Sequence, residues 1–101
     1  MPIKKPKYKL TRALVEAAPA EQGLYALWED DELIHLGRAS TKASIRGQLT
    51  EHIARRLCRC AERATHYSWE LSLRPASREV EILDEFLAEF GRMPRCNEDA
   101  A

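Results

Sequence analysis

The stretch GLYALWEDDELIHLGR, residues 23–38, joins two short apolar runs through Glu29, Asp30 and Asp31, with Tyr25 in the first run and His35 in the second. A plain hairpin needs neither a ring hydroxyl nor an imidazole, and both groups can take up and hand on a proton. Further along, Gln48 and His52 stand four residues apart, and Glu79 falls among Ala76, Ile82 and Leu83 at helical spacing. A carboxylate on an apolar stripe is costly unless a metal, a cation or hydrogen-bond donors offset it. A structural salt bridge is the competing reading of Glu79. Glu81, with Ser77, Arg78, Asp84 and Glu85 around it, faces water.

The elements that must position these groups follow from periodicity and punctuation. Residues 1–10 read as a basic arm in which Pro2 and Pro6 oppose helix. Thr11 can cap a short helix that stops at Pro19. Gly23 opens a strand and residues 32–37 read as its partner. A three-residue loop, Glu29 to Asp31, pairs Tyr25 directly with His35 and leaves Leu24, Ala26, Ile34 and Leu36 on the other face. A two-residue loop would instead pair Tyr25 with Leu36, so the three-residue loop is expected.

From Ser40 the period changes. Ile45, Leu49, Ile53 and Leu57 mark a helix, with Ser40 and Thr41 as candidate caps, and His52 beside the stripe. Residues 65–71 alternate as a third strand. Pro75 then starts a last helix that Gly91 stops, with Ala76, Val80, Leu83, Phe86, Leu87 and Phe90 as its buried stripe. Residues 93–97 read as an extended tail that runs back over the domain. The expected fold class is α+β, a three-stranded antiparallel sheet flanked by helices.

The chain has 101 residues, which bounds it to one domain, here 11–98 behind the arm. No apolar run approaches the roughly 20 residues of a membrane span, and the basic N-terminus has no apolar segment behind it to make a signal peptide. No membrane association and a cytoplasmic location are expected. Cys58, Cys60 and Cys96 are an odd count that makes a poor disulfide framework, and the CxC spacing of Cys58 and Cys60 beside His52 is not that of a zinc knuckle; small buried or half-buried thiols are expected. The formal net charge is zero, but residues 38–63 carry +5 between segments of −1 and −4. A solvated helix face explains such a run as simply as a focused contact with phosphates does.

Together these residues resemble the GIY-YIG nuclease superfamily over roughly residues 21–98. Gly23-Leu24-Tyr25 stands at the first half of the family's motif and His35-Leu36-Gly37 at the second. A helix bearing His52, a strand, a helix with an embedded Glu79 and a Pro-containing tail ending in Asn97 follow in order. The resemblance implies hydrolysis of a DNA phosphodiester with one divalent cation, Mg²⁺ or Mn²⁺. Tyr25 would act at the nucleophilic water as base or relay, and His35 stands where the family usually has a second Tyr that orders that water. His52 would bind the scissile phosphate or pass a proton, Glu79 would be the single protein ligand of the metal, and Asn97 would hold the tail or contact substrate. Magnesium keeps most of its waters, so one carboxylate can suffice.

Where the family places an Arg four residues before the helix His, this chain has Gln48, which brings no charge to the phosphate. Arg46 lies about 120° around the helix from His52 and does not simply replace it. Arg38, directly after His-Leu-Gly, or Arg55 and Arg56, one turn beyond His52, could supply the charge. The candidate catalytic residues are thus Tyr25, His35, Arg38 and His52, and the candidate substrate-binding residues are Gln48, Arg46, Arg55, Arg56 and Asn97.

Three functions fit these residues. The first is a metal-dependent endonuclease acting on DNA, structured or damaged DNA included, alone or with a protein partner or as a homodimer. The second is a nucleic-acid-binding module of the same fold with weakened cleavage, which Gln48 favours. The third, favoured by the zero net charge, is an interaction domain without a nucleic-acid role.

Overall fold

The computed structural model describes residues 7–55 and 60–99. In chain order these form β1 (Tyr8–Lys9), α1 (Arg12–Glu16), β2 (Gly23–Glu29), β3 (Glu32–Ala39), α2 (Ile45–Arg55), a 3₁₀ turn (Cys60–Arg63), β4 (His66–Leu71), α3 (Pro75–Phe90) and α4 (Arg95–Asp99). The fold is α+β, with one antiparallel sheet in the order β1-β4-β2-β3. The sheet has four strands rather than three. Tyr8 and Lys9, at the end of the basic arm, pair with Tyr67 and His66. Two residues behind Pro6 offer no period to read, and what holds them is tertiary: the Tyr8 and Tyr67 rings meet at 5.5 Å. Lys7 extends over Trp28 and donates to Asp31 Oδ1 at 2.9 Å.

The hairpin turns in two residues, not three. Asp30 adopts a left-handed φ of 54°, which the short Asp side chain tolerates better than most, and Glu29 pairs with Glu32. The register then shifts between Leu27 and Trp28: Trp28 faces Leu33 but Leu27 faces His35, leaving Ile34 as the extra residue of a β-bulge. Beyond the bulge Tyr25 faces Gly37. Tyr25 and His35 still share a face, as expected, but as diagonal neighbours placed by the bulge. The same bulge sends Ile34 to their side instead of leaving it with Leu24, Ala26 and Leu36.

Each sheet face is covered. Tyr25, Leu27, Ile34 and Tyr67 pack against Val15, Ile45, Leu49 and Cys96 from the helices α1, α2 and α4. On the opposite face Leu24, Ala26, Trp28, Leu33 and Leu36 pack against Ile82 and Phe86 of α3, while Trp28 Nε1 donates to Ser68 Oγ at 2.9 Å. Burial of these side chains is the main stabilising term.

The helices stand where periodicity put them, with differences at their ends and faces. Thr11 caps α1, its hydroxyl accepting from Leu14 N–H. On α2 the cap is Ser44, whose Oγ accepts from Gly47 N–H at 3.1 Å; Ser40 instead takes the N–H of Ala43 in the preceding turn. Pro75 opens α3, and Gly91 closes it at φ 70°. The expected stripe on α3 is rotated, because Val80, Leu87 and Phe90 are 57%, 46% and 50% exposed and the sheet takes Ile82 and Phe86. Apolar residues cover two adjacent faces of this helix, and spacing alone does not say which meets the sheet.

The tail is a short helix, α4, rather than an extended segment. Cys96 within it forms a disulfide with Cys60, across 36 residues of sequence, so these two are not the thiols expected. An odd cysteine count conceals one pair, and only the fold brings their Cα atoms to 5.4 Å. Cys58 lies outside the described residues. Among the described residues no helix is long and apolar enough to cross a membrane.

Candidate active site

Strands β2 and β3 and the helix α2 bring Tyr25, His35 and His52 into one cluster. Their rings are mutually 5.4–5.8 Å apart between centroids, and the Tyr25 hydroxyl is 3.1 Å from His52 Nε2. The position of the phenol depends on Gly37. It sits opposite Tyr25 across the hairpin, and a Cβ there would overlap Cζ, Cε1 and the hydroxyl oxygen of the Tyr25 ring. Leucine and glycine in His-Leu-Gly therefore do different work: Leu36 fills the core under α3, and Gly37 leaves room for the phenol.

Burial governs the titration of the cluster. It pushes the Tyr25 phenol up to about 12, with the Glu79 carboxylate adding to the effect. It drives His35 down to about 4, with His52 nearby as a second cause, and it also lowers His52. At neutral pH the phenol is protonated and His35 neutral. The Nδ1 atoms of both imidazoles are buried without a hydrogen-bond partner.

Glu79 is not an unpaired carboxylate. It is half-buried on α3, its Oε1 3.3 Å from Nε of Arg38, and burial raises its pKa while Arg38 partly offsets the rise. The salt bridge weighed against the metal role in the sequence is therefore present. Glu81 is exposed and pairs with Arg78 at 3.6 Å, as its polar neighbours suggested. Arg38 also borders an open cleft of about 420 Å³ lined by Gln22, Ser40, Gln48 and Pro75. Gln48 thus faces the same cleft as Arg38, one helical turn before His52.

The remaining candidates divide. Arg46 donates from Nε to the carbonyl of Ala18 at 2.7 Å, which ties α2 to the end of α1 and accounts for this side chain structurally. Asn97 clamps the outer edge of β3: its Nδ2 donates to the Leu36 carbonyl at 2.9 Å, and its Oδ1 accepts from the Leu36 N–H at 2.8 Å. That is the tail-holding role, next to His35. Arg55 closes α2, but its side chain, and Arg56 altogether, lie outside the described residues.

Comparison of the chain with protein-family models, curated proteins and solved structures finds no match. Among the described residues no group of three or more His, Cys, Asp or Glu side chains could hold a metal ion. A magnesium site does not need one, since one or two carboxylates and retained waters are enough. Glu79, a half-buried carboxylate that acts on Tyr25 and is paired with Arg38, would be the single ligand of such a site.

The geometry missing from the sequence reading is Gly37 as the steric partner of Tyr25, and Gln22 and Pro75 as walls of the cleft. The glycine of His-Leu-Gly was the available signal. Nothing in the sequence marked Gln22.

Proposed function

We propose that this protein is a small DNA endonuclease of the GIY-YIG type that hydrolyses a phosphodiester with a divalent cation, Mg²⁺ or Mn²⁺. The observation that carries the reading is the Tyr25 hydroxyl within hydrogen-bond distance of His52 Nε2, with His35 packed against both rings and the Glu79 carboxylate near enough to raise the phenol's pKa.

In this mechanism a water beside the phenol gives its proton to the Tyr25 oxygen as the phenol proton passes to His52 Nε2. A phenol with its pKa near 12 is a poor acid on its own, so the imidazole is the final acceptor and the phenol the relay. That requires His52 to carry its proton on Nδ1. His35, neutral and buried, orients the phenol and excludes water. Arg38 meets the charge of the phosphate. Glu79 would hold the cation, which when bound lowers the pKa of water and neutralises phosphate charge.

A specific observation favours a second reading, a nucleic-acid-binding module with weak cleavage. Gln48 places no charge on the cleft, and Arg46 is engaged with Ala18. The experiment that separates the readings is nicking of plasmid, branched and nicked DNA with Mg²⁺ or Mn²⁺. The endonuclease reading expects metal-dependent nicking that Tyr25→Phe, His52→Ala and Glu79→Gln each remove. Salt-dependent binding without nicking selects the module, and absence of both overturns each.

A further inference from the structure

We propose that Arg38 is an exchange residue: in the free protein its guanidinium neutralises Glu79, and on substrate binding a divalent cation takes Glu79 while a phosphate takes Arg38. The inference rests on the DNA-cleaving reading above and adds a coupling between the two ligands.

The pair is built asymmetrically. The Arg38 side chain is 57% exposed and that of Glu79 is 21% exposed. The carboxylate is thus partly withdrawn from water while its partner stays mostly hydrated. A half-buried carboxylate left alone is unfavourable, so Glu79 keeps a positive charge beside it in every state; only the identity of that charge changes. The contact itself is weak. Arg38 meets Glu79 through Nε at 3.3 Å, whereas Arg78 gives Glu70 two hydrogen bonds, the shorter at 2.5 Å. An ion pair whose cation is mostly exposed, and which is held by one long contact, exchanges more readily than a bidentate one.

The second half of the exchange is where Arg38 can go. It follows Gly37, which lies under the Tyr25 ring, and it lines the cleft that also holds Gln22, Ser40 and Gln48. A long side chain anchored at that point reaches either the carboxylate on α3 or an anion in the cleft. The guanidinium fork suits phosphate as well as carboxylate. Since either ligand alone must break the same ion pair, the two together break it once. Linkage then makes them mutually reinforcing. A cation on Glu79 raises affinity for phosphate, and the phosphate raises affinity for the cation by the same factor.

The test is a double-mutant cycle on binding, in EDTA, with a short duplex and no turnover. Glu79→Gln should bind the duplex about 5- to 10-fold more tightly than the wild type, a coupling of ordinary size. In an Arg38→Gln background the same Glu79→Gln change should give almost no gain, because there is no guanidinium to release. If Arg38→Gln does not fold, Arg38→Lys serves, with a reduced gain. A gain of equal size in both backgrounds means that Glu79 acts only by repelling phosphate, which overturns the exchange and leaves the endonuclease reading standing. No salt-dependent duplex binding by any variant overturns both. As a check independent of DNA, Mn²⁺ titrated into DNA-free protein should bind Arg38→Gln several-fold more tightly than wild type; equal affinities also refute the exchange.

Discussion

Tyr25 lies opposite Gly37, and the Tyr25 ring occupies the volume that any side chain at Gly37 would need. A glycine at this strand position is therefore a steric requirement of the phenol. Gly37→Ala should displace the ring from His52 and cost roughly 1–3 kcal/mol through overpacking. Urea unfolding would measure the loss. Ultraviolet titration of Tyr25 should show its pKa falling from about 12 toward the ordinary value as the ring leaves its buried site. Unchanged stability and an unchanged titration would mean the ring keeps its buried site and Gly37 is not a steric requirement.

His35 should make the protein acid-sensitive in a defined window. Its folded pKa is about 4 against an ordinary 6.5, so between these values the unfolded chain binds a proton that the folded chain does not. Stability from this group is complete above about pH 6.5 and is lost as pH falls toward 4, on the order of 3 kcal/mol in all. His52, also lowered by burial, acts with the same sign. Carboxylates titrate in part of this range, so the informative quantity is the difference between wild type and His35→Gln. The variant should show a flatter decline, and parallel curves would refute the assignment.

The sequence carried the existence and order of the long elements because their apolar spacing is regular: α2 through Ile45 and Leu49, β4 through Tyr67 and Trp69, α3 between Pro75 and Gly91. It carried the proximity of Tyr25 and His35 for the wrong reason. A bulge at Ile34 and a two-residue turn at Asp30 do what a longer loop was expected to do, and bulges leave no mark in hydrophobic alternation. Side-chain pairings across long separations were also illegible. The Cys60–Cys96 bond, the Arg38–Glu79 pair and the clamp of Asn97 on Leu36 depend on topology, which sets who meets whom only after the sheet has formed.

Asn97 makes a distinct prediction. Its amide satisfies both the N–H and the C=O of Leu36 at the β3 edge. Asn97→Ala strips both partners at once and should destabilise by roughly 2–3 kcal/mol, with faster amide exchange at Leu36. Asn97→Asp should be nearly as harmful, since a carboxylate accepts from the N–H but repels the carbonyl. If Asn97→Ala instead leaves stability intact and weakens only DNA binding, the residue contacts substrate.

The disulfide predicts a large redox effect on stability. A bond spanning 36 residues constrains the unfolded chain, so reduction should cost about 3–4 kcal/mol in urea unfolding. It should also loosen α4 and with it the Asn97 clamp, since Cys96 and Asn97 are adjacent. Thiol counting checks the premise: of the three cysteines, unfolding without reductant should expose one to alkylation, Cys58. Three reactive thiols would show that the bond is absent in solution.

Gln48 offers the sharpest test of the catalytic reading. It faces the cleft beside Arg38, one turn before His52, where it can donate a hydrogen bond but no charge. Phosphodiester hydrolysis builds negative charge on the phosphate, and a fixed donor aimed at such charge is commonly worth about 3 kcal/mol, roughly a hundredfold in rate. Gln48→Arg should therefore raise metal-dependent nicking by up to that factor. The gain should be larger when Arg38 is replaced by Gln, because the new guanidinium then supplies the cation that Arg38 no longer brings. Circular dichroism and urea unfolding would establish that the variant folds. Should nicking by the folded variant stay unchanged in the wild-type background yet be rescued in Arg38→Gln, Arg38 already fills the position. Should neither background respond, the phosphate does not lie in this cleft.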